Sequence, residues 1–142
     1  NIIFQHAITA HSWKRLTAPG ARQARGSWEW AKEYSCYQSR PNRFEISLSR
    51  GGLVALCYGQ LSKQGTRVRL NLIESTPLRP LPLGIESLPV ISMAAAAFAG
   101  IVGAHELWVL DPDPGVESLY KQQGFGGIEI YHGRRVGQRR VL

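Results

Sequence analysis

Thr66-Arg67-Val68-Arg69-Leu70-Asn71-Leu72-Ile73-Glu74 opens the stretch that decides the fold, which runs on through a proline-leucine loop and an alanine-rich run to His105-Glu106-Leu107-Trp108-Val109-Leu110. Val68, Leu70 and Leu72 alternate with Arg67, Arg69 and Asn71, the period of two that marks a strand with one buried face. From about Ile85 to Val102 the sequence predicts a long helix. Its centre, Met93 to Ala99, is mostly alanine and small enough to lie close against a sheet, and Gly103 suits a left-handed C-cap. His105 to Leu110 is a short apolar strand. Strand, helix and strand in that order call for a parallel crossover within one sheet.

Upstream, Phe44, Ile46 and Leu48 alternate with Glu45, Ser47 and Ser49, which predicts a strand over Arg43–Ser49 with its acidic and hydroxyl side chains in solvent. Arg50-Gly51-Gly52 is a hairpin turn. Leu53–Leu61 is a second strand, and Ser62–Gly65 a looser turn leading into the strand at Thr66. These three strands form an antiparallel meander. Before them, Ser27 caps a helix running to about Gln38, with Trp30, Tyr34 and Tyr37 on one face. Further back, Ala10–Leu16 reads as a short helix, Asn1–Phe4 as a strand end and Ala21–Gly26 as a basic loop.

Downstream, Asp111-Pro112-Asp113-Pro114 sets up a helix from Gly115 to Gln123, closed by Gly124. The tail alternates at Ile128 and Ile130 and again around Val136 and Val141, which suggests a hairpin turning at Gly133. The expected architecture is α/β (α+β): a mixed sheet, with an antiparallel meander followed by a β-α-β crossover, flanked by helices, in one domain over residues 1–142.

Of the 142 residues, 44% are apolar and 19% charged, a globular composition. The formal charge of +7 favours anionic partners, namely nucleic acid, a polyphosphate or an acidic substrate, and does not choose among them. Cys36 and Cys57 are too few and too far apart for a disulfide framework or a zinc motif, and Cys57 lies in an apolar run that buries it. A reducing, cytoplasmic setting fits. The apolar stretch Leu88–Val102 falls short of the ~20 residues that span a bilayer, so no membrane partner is expected. The histidines are scattered and no metal-ligand spacing occurs, so no metal is expected. No P-loop or Gly-x-Ser-x-Gly is present.

The element order, together with Leu119-Tyr120-Lys121-Gln122-Gln123-Gly124-Phe125, resembles the GNAT superfamily of N-acetyltransferases, whose members carry an LYxxxGF segment after a short strand. The preceding Gly103-Ala104-His105-Glu106-Leu107-Trp108-Val109-Leu110 is similar to the family's helix end and fifth strand. The resemblance covers roughly residues 27–132. It implies an acyltransferase that moves an acetyl group from acetyl-CoA to a primary amine. It implies that Tyr120 lies near the coenzyme sulfur and protonates the departing thiolate. It also implies that Asp111 and Asp113 of the linker lie on the coenzyme side, and that Trp28, Trp30 and Tyr34 line the acceptor pocket. On the residues alone, Tyr120 is equally a core tyrosine on an amphipathic helix, and an aromatic stripe at helical spacing is more often core.

The physical chemistry runs alongside. If the strands at 66–74 and 105–110 splay at their C-terminal ends, the backbone at Leu72 and Ile73 can pair with an extended pantetheine arm as though it were another strand. The start of the following helix, with Leu83, Gly84, Ile85 and the cation Arg79, then makes a pyrophosphate site. This loop, Arg79-Pro80-Leu81-Pro82-Leu83-Gly84-Ile85-Glu86, departs from the family's Gln/Arg-x-x-Gly-x-Gly/Ala pattern, and Pro80 and Pro82 bring no N–H donors. Glu74 ends its strand at the splay, where burial strengthens a carboxylate as a base toward the substrate amine; on the residues alone it reads more readily as a solvated strand-end acid or a cap for the following loop. Glu45 and His132 are the weaker candidates. A second reading keeps the fold without the catalysis: a binding module whose Arg134, Arg135, Arg139 and Arg140 hold nucleic acid or an acidic partner. An RNA-linked acceptor combines the two readings, and the C-terminal strand is able to pair across a homodimer.

Overall fold

The structure, a computed structural model, describes residues 2–3, 36, 39–50, 53–75, 80 and 83–142. Of the helix expected over Ser27–Gln38, only Cys36 falls among them, and it is helical and exposed. The expected helix over Ala10–Leu16 and the basic loop lie outside the described residues.

Seven strands form one sheet: β1 (Ile2–Ile3), β2 (Arg43–Ser49), β3 (Leu53–Leu61), β4 (Arg67–Ser75), β5 (Glu106–Leu110), β6 (Ile128–His132) and β7 (Arg135–Val141), in the order β1-β2-β3-β4-β5-β7-β6. β1 to β4 run antiparallel to one another, β4 and β5 are parallel, and β7 inserts antiparallel between β5 and β6. Helix α1 (Ser87–Val102) makes the β4–β5 crossover, and α2 (Glu117–Gln122) links β5 to β6. The expected mixed sheet, meander first and crossover second, is what the chain forms.

α1 begins two residues later than the periodicity suggests. Gly84 turns the chain at φ 74° and Glu86 is still extended, so the first helical residue is Ser87. Gly103, at φ 76°, ends the helix and donates its N–H to the carbonyls of Ala99 and Gly100. The tail turns at Gly133 with φ 58°, as the alternation suggests. Among the described residues no helix is long and apolar enough to cross a membrane.

One face of the sheet carries the core. Ile46, Leu48, Ala55, Cys57, Val68, Leu70, Leu107 and Val109 are buried together with Ile91, Ala94, Ala95 and Ala99 of α1. The alanines let the helix backbone approach the strands, and each buried branched side chain contributes roughly 1.5–3 kcal/mol. The other face of β2 and β3 is covered as well. Glu45 and Ser47, expected in solvent, are 7% and 0% exposed. All of Leu53–Gln60 is buried, so both faces of β3 are shielded from solvent.

β4 departs from simple alternation. Tyr58 of β3 pairs with Leu72, and Gly59 with Leu70, which leaves Asn71 as an extra residue in a bulge. Val68 and Leu70 therefore share a face with α1, whereas Leu72 and Glu74 turn to the opposite one. Gly59 sits at the bulge because a Cβ there would collide with the ring of Phe44 and the carbonyl oxygen of Arg69. Gly59→Ala is expected to cost about 1–3 kcal/mol by overpacking. The urea midpoint measures it, and an unchanged midpoint would show that the bulge has room to spare.

Candidate active site

The β4–β5 ladder runs from Arg67 opposite Glu106 to Leu70 opposite Val109, and it ends there. β4 continues to Ser75, paired on its other side with β3 as far as Ala55. The bulge at Asn71 stands where the strands part, as expected of a device that bends one strand away from its neighbour. Beyond it, Leu72 and Ile73 lie on a strand edge inside the sheet, with backbone groups turned toward the gap that β5 leaves.

The start of α1 closes one end of this gap. The hydroxyls of Ser75 and Ser87 hydrogen-bond, tying the last residue of β4 to the first of α1. Glu86 is the N-cap but makes no side-chain capping bond, and the first turn holds no acidic residue. The first N–H groups of α1 thus lack a side-chain acceptor, an arrangement that favours an anion. Gly84 is exposed, with open space where a Cβ would stand. Leu83 packs on the core and Ile85 is 56% exposed. Arg79 lies outside the described residues. These features fit a pyrophosphate, with the Glu86 carboxylate the one unfavourable charge.

Tyr120, on α2, is 9% exposed and belongs to the core cluster that contains Cys57. Its ring meets Phe125 edge-on at 5.9 Å between centroids. Burial pushes its phenol well above the usual range, and Cys57 and Asp113 push it the same way. The hydroxyl therefore stays protonated at neutral pH and has a proton to give. Cys57 is shifted upward too, by burial and by the Glu45 carboxylate, and behaves as a small apolar residue rather than a nucleophile.

Glu74 is 4% exposed and stands opposite Leu56 of β3. Ile73, the next residue back, stands opposite Cys57. Glu74 thus points to one face of β4, and Tyr120 packs with Cys57 on the other. The two candidates lie on opposite faces of the sheet.

Asp111 has a different engagement. It sits at φ 47°, and Arg135 grips its Oδ2 from Nε and Nη2 at 3.1 and 2.9 Å, so its carboxylate braces the β6–β7 hairpin. Asp113 accepts the Val116 N–H at its carbonyl, 3.1 Å away, ahead of α2. Glu45 is buried beside Tyr58 in register, two strands away from the gap. His132 is exposed at the hairpin. Trp28, Trp30 and Tyr34 lie outside the described residues.

The sequence pattern did not single out Gln138. It is 0% exposed, and its Nε2 donates to the carbonyls of Glu117 at 3.0 Å and Gly126 at 2.9 Å, one on each side of Tyr120. It clamps α2 to β7. The signal that could have found it is a lone amide at an inward position of the arginine-rich strand Arg135–Val141.

No protein-family model and no curated protein sequence matches the chain. Solved structures do. An acetyltransferase from Thermus thermophilus superposes with a TM-score of 0.68 at 15% identity, over 100% of this chain and 97% of its own. The PaiA N-acetyltransferase of Thermoplasma acidophilum, in complex with coenzyme A, gives 0.59 at 13% identity, over 100% and 99%. The GNAT domain of a protein named PAT from S. lividans gives 0.66 at 10% identity, over 99% and 89%. The fold of this chain is the GNAT acetyltransferase fold.

Two outcomes follow from this geometry. The folded state holds the Tyr120 proton more tightly than the unfolded chain does. The stability this contributes is full below the ordinary tyrosine value of about 10 and is lost as pH rises above it. Urea midpoints should fall more steeply above pH ~10 in the wild type than in Tyr120→Phe; parallel curves would remove the buried phenol. Gln138→Leu leaves two carbonyls without their donor and should cost about 1–3 kcal/mol, read from the same urea series; no change would mean that α2 is held by packing alone.

Proposed function

We propose that this chain is an acetyl-CoA-dependent N-acetyltransferase that moves the acetyl group from the thioester to a primary amine. The observation that carries this reading is the gap between β4 and β5 beyond Leu70 and Val109, bounded by the uncapped start of α1 and by Tyr120 on α2. The coenzyme A complex of the Thermoplasma protein, which shares this fold, supports it.

In this reading the free edge at Leu72 and Ile73 pairs with the amides of the pantetheine arm, and Gly84 and the first turn of α1 receive the pyrophosphate. A backbone N–H near Ile73 polarises the thioester carbonyl. Glu74, directly or through water, takes a proton from the amine as its nitrogen attacks the carbonyl carbon. As the carbon–sulfur bond breaks, Tyr120 gives its proton to the leaving thiolate and recovers one from solvent. Positioning the two reactants supplies much of the acceleration. Pairing across the edge strand β6, where Ile130 is 72% exposed, would join two copies into a homodimer, and the free thiols Cys36 and Cys57 suit a reducing cytoplasm.

The test is calorimetry with acetyl-CoA, followed by thiol release in the presence of a panel of amines. Tyr120→Phe should lower kcat by about tenfold or more while coenzyme affinity holds. Glu74→Gln should lower kcat and flatten the acid limb of its pH profile. Absence of coenzyme binding would sink the reading; unchanged turnover in Tyr120→Phe would remove that residue from the mechanism.

A further inference from the structure

We infer a second binding site, for a phosphate monoester, at the end of β4 away from the gap. A cavity of about 310 Å³ is lined there by Pro41, Asn42, Gln60, Leu61, Lys63 and Arg69. Arg69 lies five residues before Glu74, so roughly 16 Å of strand separates this cavity from the proposed reaction centre.

The cavity gathers cations without anions. Lys63 and Arg69 line it, and among the described residues no carboxylate does. Arg43 is a third cation beside it: Gln60 is the cross-strand partner of Arg43 on one side and of Arg69 on the other, which puts the three side chains in one row on one face. Among the described residues none of these three cations has an ion-pair partner. Their neighbours differ. Arg67 and Arg139 each meet Glu106 at 3.0 Å, and Arg135 is taken by Asp111. In a chain of net charge +7, no described carboxylate offsets the charge of Arg43, Lys63 and Arg69.

The walls are set before any ligand arrives. The Gln60 amide donates to the Pro41 carbonyl at 3.1 Å, and the Leu61 N–H to the Asn42 carbonyl at 2.9 Å. These bonds hold Asn42 in the left-handed region at φ 56°, a conformation that a non-glycine residue adopts at some cost. The Arg69 guanidinium lies 5.9 Å from the centre of the Tyr131 ring, and its Nε is buried without an acceptor. A preformed pocket with an incompletely bonded guanidinium loses little freedom on binding an anion.

The chemistry selects the ligand. Three cations match a doubly charged group better than a single carboxylate, and the planar guanidinium suits phosphate oxygens. Leu61 and Pro41 offer an apolar wall to the ester's carbon body. The volume is at the lower end for small-molecule sites, so that body is the size of one ring or sugar. A free phosphorylated metabolite and the terminal phosphate of an oligonucleotide share this chemistry.

Calorimetry with phenyl phosphate tests the site, and a 5′-phosphorylated dinucleotide separates the two sources. Saturable binding is expected below about 10 mM, with Lys63→Gln and Arg69→Gln each weakening it about fivefold or more, and the hairpin variant Arg134→Gln unchanged. If Arg69→Gln fails to fold, the double variant Arg43→Gln with Lys63→Gln carries the test, since both residues are exposed. Tighter binding of the dinucleotide assigns the site to a polymer end, and equal binding assigns it to the free ester. No saturable binding, or equal weakening in the Arg134 variant, overturns the proposal.

Discussion

The register slip between β3 and β4 is the constraint on which the rest of this molecule depends. With Tyr58 opposite Leu72 and Gly59 opposite Leu70, Asn71 has no partner and β4 turns away from β5. A parallel pair that stayed in step would cover the backbone at Leu72 and Ile73 with β5. Parted, the two strands leave a line of donors and acceptors inside a sheet rather than at its rim, where water competes less. The slip is held from below by Gly59, because Phe44 and the Arg69 carbonyl occupy the space of any side chain. It is held at its far end by the Ser75–Ser87 contact, which sets the start of α1 against the end of β4.

The same slip sorts Glu74 and Tyr120 onto separate sides. Without it Ile73 and Glu74 would exchange faces, and the carboxylate would enter the core beside Cys57. With it, Glu74 faces away from α1 while Tyr120 approaches from the α1 side. Tyr120 depends on a further restraint, since α2 is only six residues long and short helices have little stability of their own. Gln138 bonds the chain on both sides of that tyrosine, and Phe125 packs on its ring. The phenol is then buried enough to keep its proton, which the proposed general-acid role requires.

Much of this architecture was legible because apolar alternation and turn chemistry agree over most of the chain. β2 and β3 begin and end where the alternation and the Gly51-Gly52 pair place them, and Gly133 turns the last hairpin. The bulge was not legible, for a physical reason. Val68, Leu70, Leu72 and Glu74 are all buried, so the period of two runs unbroken through Asn71 even though the faces change there. Glu45 misled in the same way: a carboxylate in an alternating strand reads as solvated until a second layer covers that face. Asp111 could not be read as the partner of Arg135, because their contact depends on how the terminal hairpin folds back on β5. Gln138 stands out in the sequence only as a lone amide among arginines, which does not reveal its partners, the Glu117 and Gly126 carbonyls.

β4 also carries a gradient of charge that bears on the acceptor. Its first half presents Arg67 and Arg69, and its last turn of pleat presents Glu74, all on the face away from α1. Arg67 is offset by Glu106, but Arg69 is not offset by any carboxylate among the described residues. In the proposed function, a protonated amine bound beside Glu74 would be attracted by its carboxylate and repelled by Arg69, and the two effects would act in the same direction along the strand. Burial of Glu74 sharpens the attraction, since a charge with little water around it is screened less. An anionic acceptor would meet the opposite field and stop near Arg69. The strand beside the proposed thioester cleft would therefore also carry the proposed amine site at its acidic end and the proposed phosphate site at its basic one.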